Sequence, residues 1–481
     1  MERVQVETLT GEGHELVGAD LQGLRNRFEG RLILPFDGEY EQARQVWNGM
    51  IDQHPAMILQ AESVEDVAAA VRYASRYQLL LSVRGGGHNV AGRAMLEGAL
   101  VIDLSGMRGV SVDPGARQVR AEGGALLEDL NVAAGEYGLA LSVGVVSETG
   151  IAGLTLHGGY GWLSRKFGLS LDNLVAMEVV CADGVVREAS AERNGDLFWA
   201  LRGGGGNFGV VTAFEFQAHR IPSEIWFAAP TYPAGVSREV LADFAAFMEE
   251  APDEVSALAS LWTAPDIPEV PEEMRGEPVV TLVGCYYGSV EAGQEALGPL
   301  YDFDSPGVDL GGAMSFVEAN RFFDEDYPDG NFYYWKAAYI DRLDEEILEI
   351  LEAGHRERPS LLSNIDVWAL GGAAARVAPG ETAYLQRYSP LMVTIEAQWE
   401  EASQATPNII WAREIFRKLQ HHSPGGLYLN FPGFAEEEDQ VEEVYEQNFG
   451  RLQAVKEKYD PENLFRGTFN ISPLSESARQ E

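Results

Sequence analysis

The sequence predicts an α+β protein of more than one substructure, on three observations. The chain has 481 residues, longer than one hydrophobic core usually serves. Between Met57 and Phe216 short apolar runs alternate with helical patterns and glycine clusters. After about residue 221 the clusters thin out, and strand-like runs separated by helices predict an antiparallel sheet covered by helices. Apolar residues make up 46% and aromatic residues 10%, which excludes wholesale disorder.

The elements follow in order. The first 50 residues read as helix and then loop, with Gln42–Met50 a short helical candidate. Met57-Ile-Leu-Gln60 is a short strand. Ser63-Val-Glu-Asp66 has the form of a capping box with Asp66 in place of Glu, and Val64, Val67, Ala68, Val71 and Ala74 follow at helical spacing. Leu79–Val83 is a buried strand that delivers Arg84-Gly-Gly-Gly-His88. Leu100–Leu104 is another strand, and Val119–Glu122 ends at Gly123-Gly124 before a helix through Tyr137. Leu174–Val180 and Val185–Ala189 flank Asp183-Gly184, a hairpin signal. Val210–Phe216 alternates like a strand. Residues 264–278 carry four prolines and read as a surface excursion. Val279–Val283 and Leu391–Glu396 are strands of the later sheet. Val441–Val455 reads as one long amphipathic helix stopping at Asp460-Pro461, and Phe465–Pro473 closes the fold.

Charge excludes some partners. The chain has 35 basic and 75 acidic residues, a net −40, a surface that repels nucleic acid and anionic membrane. Only Lys166, Lys336, Lys418, Lys456 and Lys458 are lysines. An acidic, lysine-poor surface points to a halophile's cytoplasm, where a Debye length of about 3 Å at 1 M salt screens the self-repulsion. No apolar run of about 18 residues predicts a membrane span, and no secretory signal is expected. Cys181 and Cys285 alone give neither a disulfide framework nor a cysteine-based zinc site.

Glycines cluster at 85–87, 123–124, 158–159 with 161, and 203–206. Such turns let backbone N–H groups converge on one anion, which matters in a chain so poor in positive charge. Gly203–Gly209 is not a nicotinamide-type fingerprint, because it lacks the strand-Gly-x-Gly-x-x-Gly-helix order with a downstream acid. A metal role for His88 would need partners; His157 is one candidate, and no third ligand is evident.

Arg84-Gly-Gly-Gly-His88-Asn-Val-Ala-Gly92 resembles the flavin-attachment loop of FAD-linked oxidases of the vanillyl-alcohol-oxidase superfamily, in particular the berberine-bridge-enzyme-like group. Gly150–Gly161, Ser164–Gly168 with Asp172-Asn173, Ala182-Asp-Gly184, Asp196–Gly203 and Gly206–Val211 continue the likeness in order. Tyr428-Leu-Asn430, Tyr459–Phe465 and Asn470-Ile-Ser-Pro473 complete it. The resemblance covers most of residues 40–221 and 424–474.

It implies a two-part FAD-binding domain of the PCMH type plus a substrate domain with a helix-covered antiparallel sheet. The division is residues 1–50 and 51–221, a substrate part at 222–423, and a segment 424–481 returning to the FAD part. The implied cofactor set is Arg84, Gly85, Gly86, Gly87, His88, Asn89, Gly92, Ser147, Thr149, Gly150, Gly153, Gly159, Val211, Asn430 and Asn470, with no metal. Many members carry a second, cysteinyl flavin link; here Val146 holds that position, so FAD is expected on His88 alone. Thr149 would sit by the oxygen-reactive flavin carbon. Tyr428 is the first candidate base and Tyr160 its neighbour, with Lys336, Arg165 or Arg413 as the cation needed to lower a tyrosine pKa.

The implied activity is oxidation of a small sugar, alcohol or amine, with O2 or another acceptor. A non-catalytic flavin carrier and an NADPH-dependent reductase of the same superfamily are the alternatives. Substrate and oligomeric state are left open.

Overall fold

The computed structural model describes residues 3–434, 440–466 and 469–474. Residues 467–468 of the expected closing segment, and 435–439 and 475–481 of the C-terminal part, lie outside the described residues. The architecture is mixed α+β, and three of its sheets have four or more strands.

The first sheet sets Met57–Gln60 and Leu81–Arg84 parallel to Leu100–Asp103, with Arg31–Ile33 antiparallel at the edge. Helix Val64–Tyr77 joins its first two parallel strands. The Ser63 hydroxyl accepts from Asp66 N at 3.3 Å, as the box predicts. The Asp66 carboxylate does not close the box; it accepts from the N–H groups of Glu29, Gly30 and Glu62 at 2.8, 2.9 and 3.1 Å. The N-terminal region departs from expectation. Arg3–Glu7 and Gly13–Val17 form a hairpin, and the 42–50 candidate shrinks to Tyr40–Ala43. Val4, Val6 and Leu16 bury against this first layer, which local helix propensity alone does not anticipate.

The second sheet runs Val186–Ser190, Leu174–Val180, Val210–Gln217, Gln118–Glu122, Val110–Asp113, all antiparallel. The Asp183-Gly184 hairpin forms as expected, with Gly184 at φ +70°.

The third sheet has nine strands. Its centre runs Pro278–Tyr286, Val255–Thr263, Asn364–Ala369, Leu391–Trp399, Phe332–Ile340, antiparallel throughout. Side chains alternate in direction along each strand. Ile365, Val367, Val393, Ile395, Ala259 and Leu261 pack into one core with residues of helices Ser237–Glu250, Glu345–Glu357 and Ala405–Gln420. Trp368, Met392, Ala337 and Tyr339 pack toward the rest of the molecule. The opposite face of this sheet is therefore a wall.

The expected long C-terminal helix is two helices, Val441–Tyr445 and Phe449–Tyr459, broken at Glu446 with φ +40°. Val444, Leu452 and Val455 nevertheless pack against the core built on residues 119–216.

Candidate functional site

Two glycine turns press together at the end of strand Leu81–Arg84. A Cβ on Gly86 would lie 2.5 Å from Gly150 Cα, and one on Gly150 would lie 2.3 Å from Gly86 N. A side chain at either position would force the turns apart. Gly87 has φ +72°, in the left-handed region. Among the described residues nothing accepts a hydrogen bond from the backbone N–H of Gly86, Gly87 or His88. Such unspent donors suit a phosphate-bearing ligand.

His88 follows the turn. Its ring stacks on Trp47 at 4.1 Å between centroids, and Trp47 stacks on Tyr333 of the nine-stranded sheet at 3.8 Å. Trp47 is itself fixed by its indole N–H donating to Tyr327 O at 2.9 Å. Burial pulls the His88 imidazole down to about 4, so it is neutral with an unshared electron pair at working pH.

A cavity of about 220 Å³ lies between these turns and the sheet wall. His88, Asn89, Thr149, Tyr160, Tyr428 and Asn430 line it, and the sheet contributes Trp335, Asp366, Trp368 and Glu396. A second space of about 140 Å³ shares Gly85, Gly153 and His157 with it and reaches Asn207, Val211 and Phe465. The two spaces adjoin at these shared residues as one groove.

Other expected site residues have different surroundings. The Arg84 guanidinium is engaged by Asp103, at 2.9 Å from Nε, and by the carbonyls of Ala43 and Gln45. Gly92, at φ +67°, packs where a Cβ would meet Ile51 at 2.5 Å. Gly159 packs on Ser170. Ser147 donates from N and Oγ to the Asp324 carboxylate at 2.8 and 2.5 Å, tying its loop to the segment that carries Phe323 and Tyr327. Asn470 neighbours the Ile471–Asn207 contact and is not among the cavity-lining residues.

The tyrosines are brought together. Tyr160 and Tyr428 meet edge to face at 5.5 Å. Tyr428 Oη accepts from Asn430 Nδ2 at 3.1 Å and from Tyr160 N at 3.5 Å. Burial still raises the Tyr428 pKa, against those donors. The expected cations are elsewhere. Arg165 donates to the carbonyls of Val255, Ala251 and Leu370, Arg413 to Tyr334 Oη, and Lys336 sits over the Tyr334 and Phe416 rings. The cation that acts on Tyr160 is Arg387, buried and bidentate on Asp172 at 2.8 Å. Burial outweighs it, and Tyr160 also shifts up.

Asp366 and Glu396 are the residues that sequence reasoning missed. They stand on adjacent strands, each 3% exposed. Glu396 accepts from Tyr327 Oη and Thr394 Oγ1, both at 2.7 Å, and Asp366 from Asn364 Nδ2 at 3.0 Å. Burial pushes both carboxyls above the usual range, and the charge of Asp366 adds to the rise at Glu396. The signal was present: in Asn364-Ile-Asp-Val-Trp and Met392-Val-Thr-Ile-Glu-Ala-Gln398 every second residue departs from a plain aliphatic run.

A carboxyl whose pKa is higher folded than unfolded contributes stability while protonated, and loses it as pH rises through the folded value. Urea unfolding from about pH 5 to about pH 9 should therefore show a steeper decline in wild type than in Glu396→Gln. Equal slopes would count against the raised pair.

Comparison with known proteins places the chain. The FAD binding domain model matches residues 55–190, and the model for berberine and berberine-like proteins matches 427–472. The uncharacterized FAD-linked oxidoreductase YgaK of Bacillus subtilis (strain 168) is 30% identical, over 94% of this chain and 99% of that protein. (R)-6-hydroxynicotine oxidase of Paenarthrobacter nicotinovorans is 31% identical, over 92% of this chain and 97% of that protein. The crystal structure of 6-hydroxy-D-nicotine oxidase from Arthrobacter nicotinovorans superposes with a TM-score of 0.82 at 28% identity, covering 93% of this chain and 98% of that one. With relatives at this identity matched over nearly their full length, the chain belongs to the berberine-bridge-like family of FAD-linked oxidoreductases.

Proposed function

We propose that the protein removes a hydride from a C–H of a small sugar, alcohol or amine, using FAD bonded to His88 alone, with O2 or another acceptor completing turnover. The observation that carries this reading is one cavity in which His88 and the glycine turns face a wall bearing Asp366 and Glu396. Bound FAD would supply the two-electron acceptor. Residues 1–221 and 424–481 would hold it, and 222–423 would choose the substrate.

The chain's own residues would divide the remaining work. Gly86, Gly87 and His88 would offer N–H groups to the pyrophosphate, and Trp47 would hold the imidazole plane. The substrate proton needs an acceptor competent near neutral pH. What favours the carboxylate pair over Tyr428 is that a buried tyrosine shifted upward is almost wholly protonated there, whereas a raised carboxyl can take a proton and give it up. Tyr428, fixed by Asn430 and the Tyr160 N–H, would orient the substrate. Thr149, small and in the cavity wall, would leave oxygen a path.

Anaerobic mixing of purified holoprotein with cellobiose, benzyl alcohol and N-methylbenzylamine tests the activity. Bleaching of the flavin band by a panel member supports it; reduction only by NADPH would replace it with the reductase reading. The single link has its own check. After acid precipitation yellow colour should stay with the wild-type polypeptide and move to the supernatant for His88→Ala. Colour in both supernatants would sink the covalent proposal, since Val146 offers no thiol and Cys181 and Cys285 are buried outside the cavity walls.

The net charge of −40 supports a salt-rich cytoplasm as the working environment. Circular dichroism should show helix loss on dialysis from molar to millimolar KCl, and full structure in dilute buffer would exclude this.

A further inference from the structure

Buried acids elsewhere in this protein are matched by a base or, as at Asp66, by backbone N–H donors. Asp103 pairs with Arg84, Asp172 with Arg387, and Asp460 with Lys456. Asp366 and Glu396 are as deeply buried, and beside them Asp326 is half-buried. Among the described residues the groups acting on these three are burial, neighbouring carboxylates and neutral donors, namely Ser260, Asn364, Tyr327 and Thr394. A buried charge without a partner is costly, so such groups are kept where something pairs with them or where they take up a proton.

The wall around them is aromatic. Phe323, Tyr327, Trp335 and Trp368 share the cavity with the two carboxyls. Behind the wall, Ser260, Asn364, Tyr327 and Asp326 line a further cavity of about 450 Å³, whose other charged lining residues are Asp266, Glu325 and Glu400. Across the active-site cavity the ionisable groups are Arg93, His88, His157, Tyr160 and Tyr428. Among the described residues no group of three or more His, Cys, Asp and Glu is arranged to hold a metal ion.

We propose that the missing countercharge is the substrate's own, an organic ammonium ion that docks its cationic nitrogen against Asp366 and Glu396 within the aromatic wall. This rests on the redox reading above and narrows its substrate class to amines protonated at nitrogen. Aromatic faces attract cations, and two carboxylates select an ammonium over a neutral hydroxyl. Docking would drive a shared proton off the pair. For turnover, one carboxylate then takes the proton from the ammonium N–H. The amine lone pair so freed forms the C=N bond as the adjacent C–H bond breaks. Two electrons and the hydrogen leave as hydride to the flavin, and an iminium ion remains. Burial supports the coupling, since it holds Glu396 and Asp366 above the usual carboxylate range and Asp326 up to about 7.

The test uses oxidised holoprotein and benzyltrimethylammonium, a cation with no N–H that cannot follow this route to an imine. Flavin absorbance reports binding, and a pH indicator in weakly buffered solution reports proton release. The cation should bind at least about tenfold more tightly than benzyl alcohol and release protons near neutral pH. Glu396→Gln should weaken it by about tenfold or more, the worth of one lost opposite charge, and so narrow the gap between the cation and benzyl alcohol. Asp366→Asn provides a second variant if the first folds poorly. Absence of cation binding, equal affinity for benzyl alcohol, or binding without proton release would overturn the proposal. Bleaching by cellobiose but not by N-methylbenzylamine would also overturn it while leaving the redox reading intact; a holoprotein without flavin would remove the redox reading itself.

Discussion

Replacing Glu396 by glutamine should slow anaerobic flavin reduction by roughly a hundred- to ten-thousandfold, the contribution typical of a positioned proton acceptor. Glutamine keeps the size of the side chain, and its carbonyl can still accept from Tyr327 or Thr394. What it loses is the capacity to take a proton. The measurement is stopped-flow absorbance with the panel member that bleaches the wild-type flavin. Tyr428→Phe is the control. It should lose less, because a phenol kept protonated by burial contributes orientation. If Tyr428→Phe collapsed and Glu396→Gln reduced its flavin at the wild-type rate, the base would be the tyrosine. The two carboxyls act on each other, so Asp366→Asn should not add its full effect to Glu396→Gln.

The second large effect is structural. Lys456 and Asp460 are completely buried, one turn apart. The ammonium donates to Asp460 at 2.7 Å, Asn207 O at 2.7 Å and Phe465 O at 2.6 Å. Asp460 also accepts from the N–H groups of Leu464 and Phe465, both at 2.8 Å. Lys456→Ala would leave a carboxylate buried without its cation and is expected to cost about 3–5 kcal/mol in urea unfolding. Asn207 and Phe465 line the far end of the groove, so flavin content should fall as well. Lys456→Met with Asp460→Asn should be less damaging than Lys456→Ala, because no charge is stranded. A single variant as stable as wild type would mean that water reaches the site and that the pair is not the pin its burial implies.

Local chemistry made much of the fold legible. Strand Leu81–Arg84 and its glycine turn, the Asp183-Gly184 hairpin and helix Val64–Tyr77 follow from patterns written within a few residues. The groove was legible for the same reason: a glycine forced by close approach, as at Gly86 and Gly150, marks its own position. The N-terminal hairpin was not, because its strands gain most of their stability from burying Val4, Val6 and Leu16 under distant residues. Trp47 had no local signal either, since its role depends on Tyr333 lying 286 positions later. Asp366 and Glu396 fell between these cases. Their alternation was visible, but an acid in a strand acquires chemical meaning only once it is known which face meets helices and which meets a cavity. The cation beside the tyrosines was missed for a related reason: Arg387 reaches Asp172 across 215 positions.

That alternation bears on how the enzyme can diversify. On strands Asn364–Ala369 and Leu391–Trp399, Ile365, Val367, Val393 and Ile395 hold the helices, while Asp366, Trp368, Met392 and Glu396 line the cavity. Neighbouring codons thus answer to separate selective pressures. A lineage, or a library randomised only at the second set, can explore new chemistries while inheriting its scaffold untouched.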